Sequence, residues 1–279
     1  MTRRVTALLT SWLLLACSAA VTGAESAFPD IQRIRDSGIL RVAIRAIDTP
    51  PLIMSDSDGA VTGSDADLAR DIGKKMGVAV EFFRSAETYD GVVDVVARKE
   101  ADLGVSFLSS DVRRAMRVLF SQPYLKQKRR IIYNRAAFAR LQRDFEVESI
   151  VQLLRTNGAP TLTCAVLEGA IYGPLLRRDY PKIAVKSFAS LAEVVAAVKE
   201  GRVLAGFHGE LQIDYYMRQN PETAIYIGIE PEAHYPSDIR IAVRPDAPNL
   251  LRWVNVYLSN HVGELDASEL LERYAAGDD

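Results

Sequence analysis

The sequence predicts an α/β fold with largely parallel sheets, and three observations carry that reading. From Phe28 onward, short apolar runs alternate with amphipathic helical stretches, the rhythm of strands joined by crossover helices. Glycines fall where those helices should stop. The chain has 279 residues, 48% hydrophobic and 25% charged, which is enough for two modest domains or one large one of ordinary globular composition.

The elements follow in order. Pro29 to Asp36 reads as a helix stopped by Gly38, and Ile39 to Ile44 as a strand. Ser64 is expected to cap a helix that runs to Met76 and ends at Gly77, before a strand from Val78 to Phe83. Tyr89 to Lys99 carries Val92, Val93, Val96 and Ala97 on one face, a second helix, and Leu103 to Phe107 is the next strand. Beyond Pro123 the rhythm restarts with strands at Arg130 to Tyr133 and Leu162 to Leu167. A helix from Ala170 to Arg178 and a short strand from Ile183 to Lys186 come next. Ser190 and Glu193 form a capping-box pair for a helix closed by Gly201. Val203 to Phe207 is a strand, Gln212 to Arg218 a helix and Ile225 to Ile229 a strand. The Pro- and Glu-rich stretch Glu230 to Ser237 reads as irregular, a crossing between domains. Ile239 to Val243 and helices at Asn249 to Asn260 and Ser268 to Ala275 complete the chain.

Ahead of this, Arg3 and Arg4 precede an apolar run from Val5 to Ala16 and small residues through Ala24, the pattern of a secretory signal too short to span a membrane. Cleavage after Ala24 removes 24 of the 279 residues, leaving 255, and moves the net charge from -2 to -4. Leu14-Leu15-Ala16-Cys17 also resembles a bacterial lipoprotein box, so a lipid anchor on Cys17 stays open as a second processing route. Either way the mature protein is expected outside the cytoplasm. Only Cys164 survives soluble processing, so no intramolecular disulfide forms, and its place in an apolar run marks it as a buried small hydrophobe.

The charge balance, 34 Lys and Arg against 36 Asp and Glu, lacks the basic excess of a nucleic-acid binder. His208, His234 and His261 have no metal-site spacing. No HExxH, CxxC, P-loop, GxSxG or GxGxxG motif occurs, so neither metal nor cofactor is expected.

Several segments, in order, carry a family resemblance: Gly38-Ile39-Leu40-Arg41-Val42-Ala43, Pro50-Pro51, Gly63-Ser64-Asp65-Ala66-Asp67-Leu68-Ala69, Tyr89-Asp90-Gly91-Val92-Val93 and Lys99-Glu100-Ala101-Asp102. The stretch from Ser106 to Tyr124 adds Arg114, Val118, Phe120-Ser121 and Pro123-Tyr124, and Gly201-Arg202-Val203 and Ile241-Ala242-Val243 lie further on. Across essentially the whole mature chain the sequence resembles the family 3 periplasmic solute-binding proteins, the polar amino-acid receptors of ABC importers. The resemblance implies a two-lobed type II periplasmic binding protein fold, each lobe a mainly parallel sheet flanked by helices. It implies lobe 1 from residues 25–124 and 234–279, lobe 2 from 125–233, and a two-crossover hinge near Tyr124 to Gln127 and Glu232 to Pro236. Ligand stabilises the closed form through contacts to both lobes.

Arg114 follows Ser109-Ser110-Asp111 at the end of an apolar strand, where ligands bind in open α/β sheets. Its guanidinium suits a carboxylate, with Ser109 and nearby amides as further donors. By local sequence alone Arg114 better fits the solvated face of a short helix with Arg113 and Arg117, since most arginines are exposed; the family register reverses that preference and implies the carboxylate role. Tyr89 matches an aromatic of the family's cleft or else packs on its own lobe. Asp65 and Asp67 are expected to organise their helix start. Gly169 brings backbone amides close to ligand or serves a turn. The run Lys126, Lys128, Arg129, Arg130 reads as a solvated face or an anion bias on the cleft. The match weakens in lobe 2: the family's acid for a ligand ammonium group is Gly209 here, between His208 and Glu210, and Glu210 is the candidate substitute. Leu52 stands where the family has an aromatic.

The leading expectation is a non-enzymatic periplasmic receptor, a monomer, that captures a small carboxylate-bearing solute and delivers it to an ABC permease in the inner membrane. A dehydratase-like enzyme on a cyclic carboxylate, with His208 and Glu210 in its cleft, and a sensory or accessory binding module are the rivals.

Overall fold

The computed structural model describes residues 28–156, 161–262 and 265–275; the expected leader, residues 1–24 with Cys17, lies outside them. The first part of the chain runs α1 (Pro29–Ser37), β1 (Ile39–Arg45), a small hairpin of β2 (Met54–Ser55) and β3 (Val61–Thr62), α2 (Ser64–Met76), β4 (Ala79–Ala86), α3 (Tyr89–Ala97), β5 (Leu103–Ser109) and α4 (Val112–Ala115). The long strand β6 (Leu119–Asn134) leads to α5 (Arg135–Phe145), α6 (Ile150–Arg155), β7 (Thr163–Leu167), α7 (Tyr172–Asp179), β8 (Ala184–Phe188), α8 (Leu191–Lys199), β9 (Ala205–Gly209) and α9 (Glu210–Gln219). A second long strand, β10 (Ile227–Val243), returns to α10 (Pro248–Tyr257), β11 (Leu265–Asp266) and α11 (Ala267–Ala275).

One mixed sheet runs in the order β4-β1-β5-β10-β6-β9-β7-β8. β1 is parallel to β4 and β5, and β7 is parallel to β8 and β9, because helices return the chain to the same edge between them. All seven residues of β5 are buried, as expected of a strand covered on both faces. Gly77, at φ 74°, ends α2 with its N–H on the carbonyls of Gly73 and Lys74. Cys164 is fully buried, and burial pushes its thiol up to about 12.

Several expectations change. The stretch Glu230 to Ser237 is not irregular but part of β10, paired antiparallel with β6 from Ile227 opposite Asn134 to Val243 opposite Leu119. What remains of the irregularity is a register shift, with Glu232 opposite Arg129 but Pro236 opposite Lys128. A proline has no N–H for the ladder and is accommodated at such a bulge, which is why the sequence reads as a break. Ser64 does not cap α2; Gly63 holds the cap position at φ 103°, where a Cβ would lie 2.4 Å from the Leu52 carbonyl oxygen. Ser190 does cap α8, accepting from the Glu193 N–H, while the Glu193 carboxylate reaches back to the Ala189 N–H. The run from Lys126 to Arg130 is no uniform solvated face: Arg129 points inward to Glu232, 3.2 Å away, and Arg130 pairs with Asp214. Finally, α11 packs on α9, and β11 pairs with β6 at Leu125 and Lys126, so this last part of the described chain reaches β6.

Candidate functional site

Asp111 ends the loop after β5 and caps α4 by accepting from the Arg114 N–H at 2.7 Å. That turn buries Arg114 to 3% exposure, with its guanidinium reaching both the first turn of α3 and the loop after β7. Nε donates to Asp90 Oδ1 (2.8 Å), Nη1 to the Ser109 carbonyl (2.7 Å) and Nη2 to the Gly169 carbonyl (2.9 Å), with Nη2 also 2.7 Å from Asp90 Oδ1. Asp90 comes from the first turn of α3, capped by Thr88. Gly169 follows β7, at φ 67°, and a Cβ there would lie 2.6 Å from the Thr88 Cβ. Only a glycine lets these two turns meet. Gly169 thus offers Arg114 its carbonyl.

Tyr89, the first residue of α3, is buried, with the Arg45 guanidinium 4.6 Å from its ring centroid and its hydroxyl accepting from Gln212 Nε2 at 3.4 Å. His208 ends β9 and is 1% exposed. Its Nδ1 accepts from the Gly209 N–H at 2.9 Å, which places the ring proton on Nε2, an atom with no hydrogen-bond partner. Burial, and then the charge of Arg45, push its pKa down to about 3, so the ring is neutral at any physiological pH. Tyr89, Ser109, Arg114 and His208 meet, with Phe107, Ala170, Ile171 and Tyr172, around a space of about 10 Å³. That is the room of a single water molecule.

Glu210 is not brought to this cluster. As the first residue of α9 it accepts from the Lys128 N–H at 2.6 Å and lies 3.5 Å from Arg130, on a separate cavity of about 720 Å³ shared with α11. The expectation that it replaces an acid at Gly209 is corrected on that geometry. At position 209 itself a Cβ would lie 2.4 Å from the Gln127 side-chain amide, so an acid there would require that side chain to shift.

Sequence reasoning missed Arg45, Asp90 as the partner of Arg114, and Gln212. For Arg45 a signal existed: an arginine at the carboxyl end of β1, the edge where open sheets bind ligand. Arg45, His208 and Gln212 line a further cavity of about 240 Å³ between the halves.

Asp65 also differs from expectation. Instead of serving its own helix start, it accepts from the Tyr124 hydroxyl (2.8 Å) and from the Phe107 N–H (2.7 Å), fastening β5 to β6 beneath the site. Burial raises its pKa from 3.8 to about 7. A carboxyl whose folded pKa is raised holds its proton more tightly when folded, so its contribution is complete below pH 4 and lost as pH rises through 7. Urea denaturation at pH 5 and pH 8 should therefore show a fall in stability that Asp65→Asn abolishes; an equal fall in the variant assigns it to other groups.

The profile of the bacterial extracellular solute-binding proteins, family 3, matches residues 40–277. An arginine-binding periplasmic protein of Mannheimia haemolytica is 27% identical over 180 residues, 64% of this chain and 66% of that protein, so the chain spans just under two thirds of this relative's length. Among solved structures, the ancestral amino acid-binding protein AncCDT-1, a precursor of cyclohexadienyl dehydratase, superposes with a TM-score of 0.68 at 25% identity, covering 88% of this chain and 98% of that one. A mutant of ArgBP from T. maritima superposes with a TM-score of 0.67 at 25% identity over the same shares, 88% and 98%.

Proposed function

Because the chain belongs to the family 3 bacterial extracellular solute-binding proteins, we propose that it captures a small carboxylate-bearing solute, an amino acid or related acid, for import by an ABC-type permease in the inner membrane. In this reading the solute enters between one lobe of residues 25–124 and 234–279 and another of residues 125–233, with β6 and β10 as the crossovers. The mature protein, freed of residues 1–24, works in the periplasm.

Arg114 is the observation that carries the reading. A buried guanidinium that bonds to Asp90 on one side of the gap and to the Gly169 carbonyl on the other is placed to sense separation of the two sides. As the gap opens, the solute's carboxylate takes the N–H groups released by Gly169 and shared with Asp90, and the Ser109 hydroxyl and the Tyr89 ring complete its surroundings. Such binding favours one arrangement of the lobes only through contacts made to both.

Reversible capture fits the site better than catalysis. Proton transfer near neutral pH needs a group that titrates there, and His208, held at about 3, stays neutral. Asp65 titrates near 7 but is committed to Tyr124 and Phe107.

Thermal denaturation in the presence of the common amino acids, short dicarboxylates and aromatic acids tests the proposal. A true ligand at about 100 times its Kd adds about 2.7 kcal/mol, a rise of several degrees in Tm. No shift with any of them would overturn it.

A further inference from the structure

Three arginines of this fold are buried to 3% exposure or less, and two of them have an acid beside them: Arg114 has Asp90, and Arg129 has Glu232. Arg45 has none. Its Nε and Nη2 donate to the Glu87 carbonyl (3.1 and 2.8 Å), its Nη1 to Thr49 Oγ1 (3.1 Å), and its face rests on Tyr89. Among the described residues no carboxylate lies within ion-pair distance of it. Burying a guanidinium without a counter-charge is costly. Two of its five N–H groups stay uncommitted.

The cavity that Arg45 lines also receives two further unpartnered polar atoms, His208 Nε2 and Gln212 Oε1, both on residues at least 97% buried. Its other charged group, Asp48, is engaged by Arg84 at 2.6 Å and by Ser55. The remaining walls are largely apolar, from Ile47, Pro50, Leu167, Leu191 and Tyr215. His208 and Tyr89 connect the two places: His208 lines both spaces, and Tyr89 lines the space at Arg114 while carrying Arg45 on its ring.

We propose that Arg45 is the counter-charge of an anion subsite, and that the captured solute is a small diacid, an acidic amino acid or short dicarboxylate, with one acidic group at Arg114 and the second at Arg45. This rests on the solute-binding reading above and gives it a charge class. His208 Nε2–H donates to the second carboxylate, and the solute's short apolar stem packs against the cavity walls. A basic side chain is disfavoured, because a second cation beside the buried Arg45 is repelled by it.

Isothermal titration of the protein with L-glutamate, glutarate, L-glutamine, L-arginine and L-lysine tests the assignment. The diacids should bind and the two basic amino acids should not. Arg45→Met should weaken the diacids about 30-fold or more, and at least about tenfold more than it weakens L-glutamine, whereas Arg45→Lys should keep the preference for acids. L-Arginine or L-lysine binding the wild-type protein as tightly as the diacids overturns the subsite, even if Arg45→Met does not fold. Unchanged diacid affinity in Arg45→Met overturns it too. Binding that survives Arg45→Met but is lost in Arg114→Ala leaves the solute-binding reading standing without the subsite; no binding of any probe overturns both.

Discussion

Glu232→Leu is expected to lower the free energy of unfolding by about 3–5 kcal/mol, because it leaves the Arg129 guanidinium buried without its acid. The pair is 1% and 2% exposed, and the Tyr180 hydroxyl adds a 2.7 Å hydrogen bond to Glu232 Oε1. Asp179 stands 4.0 Å from Arg129 Nη2 and offers partial compensation, which places the expected loss toward the lower end of that range. Urea denaturation reads the loss directly. The double variant Arg129→Met, Glu232→Leu should recover most of it, since removing both charges leaves no uncompensated ion. If the single variant unfolds at the wild-type urea concentration, the pair contributes no more than an exposed one.

Arg114→Ala is expected to abolish measurable binding of any carboxylate solute, a loss of about 100-fold or more for removing one partner of a buried charge-assisted contact. The fold should survive, since Asp90, left behind, is 39% exposed and becomes hydrated. Arg114→Lys should not restore binding: an ammonium cannot span Asp90, Ser109 and Gly169 in one plane. Asp90→Asn adds a contrast. Neutralising the internal competitor should tighten a ligand bound through its carboxylate alone and weaken one whose ammonium group pairs with Asp90. Titration of wild-type protein and variants with the same compound distinguishes the cases, and unchanged affinity in Arg114→Ala refutes the role given to this arginine.

Most of the sheet was legible in the sequence because its strands are apolar runs: Ile39 to Ile44 and Leu103 to Phe107 lie in strands, and Leu162 to Leu167 covers all of β7 from Thr163. What escaped was polar. β6 carries Gln122, Lys126, Gln127, Lys128 and Arg129, so only its end, Arg130 to Tyr133, reads as a strand, yet its inward positions include Gln127 and Arg129, both buried. Helix α5 buries only Phe138 fully, so its apolar face is too narrow to announce a helix. Arg114 was singled out by the family register, while Asp90 as its partner is a tertiary fact that spacing does not encode. Glu210 failed for a local reason. One residue past Gly209 the strand has become a helix, and the alternation of a strand no longer says where its side chain points.

The paired strands β6 and β10 have a mechanical consequence. Two separate tethers would let the halves of the sheet slide, shear or rotate about either one. A continuous ladder behaves as a flat spring: slipping it by one residue would turn Arg129 and Leu125 outward and break every rung at once. Bending and twisting are the cheap deformations left to it. The rungs are interrupted at register shifts between Glu232 and Pro236, Ile239 and Arg240, and Arg240 and Ala242, and the buried Arg129–Glu232 pair clamps the spring at the first of these. In the proposed two-lobed reading, the stiffness of β6 and β10, and with it the ease of opening at Arg114, is thereby set by residues that would never touch the solute.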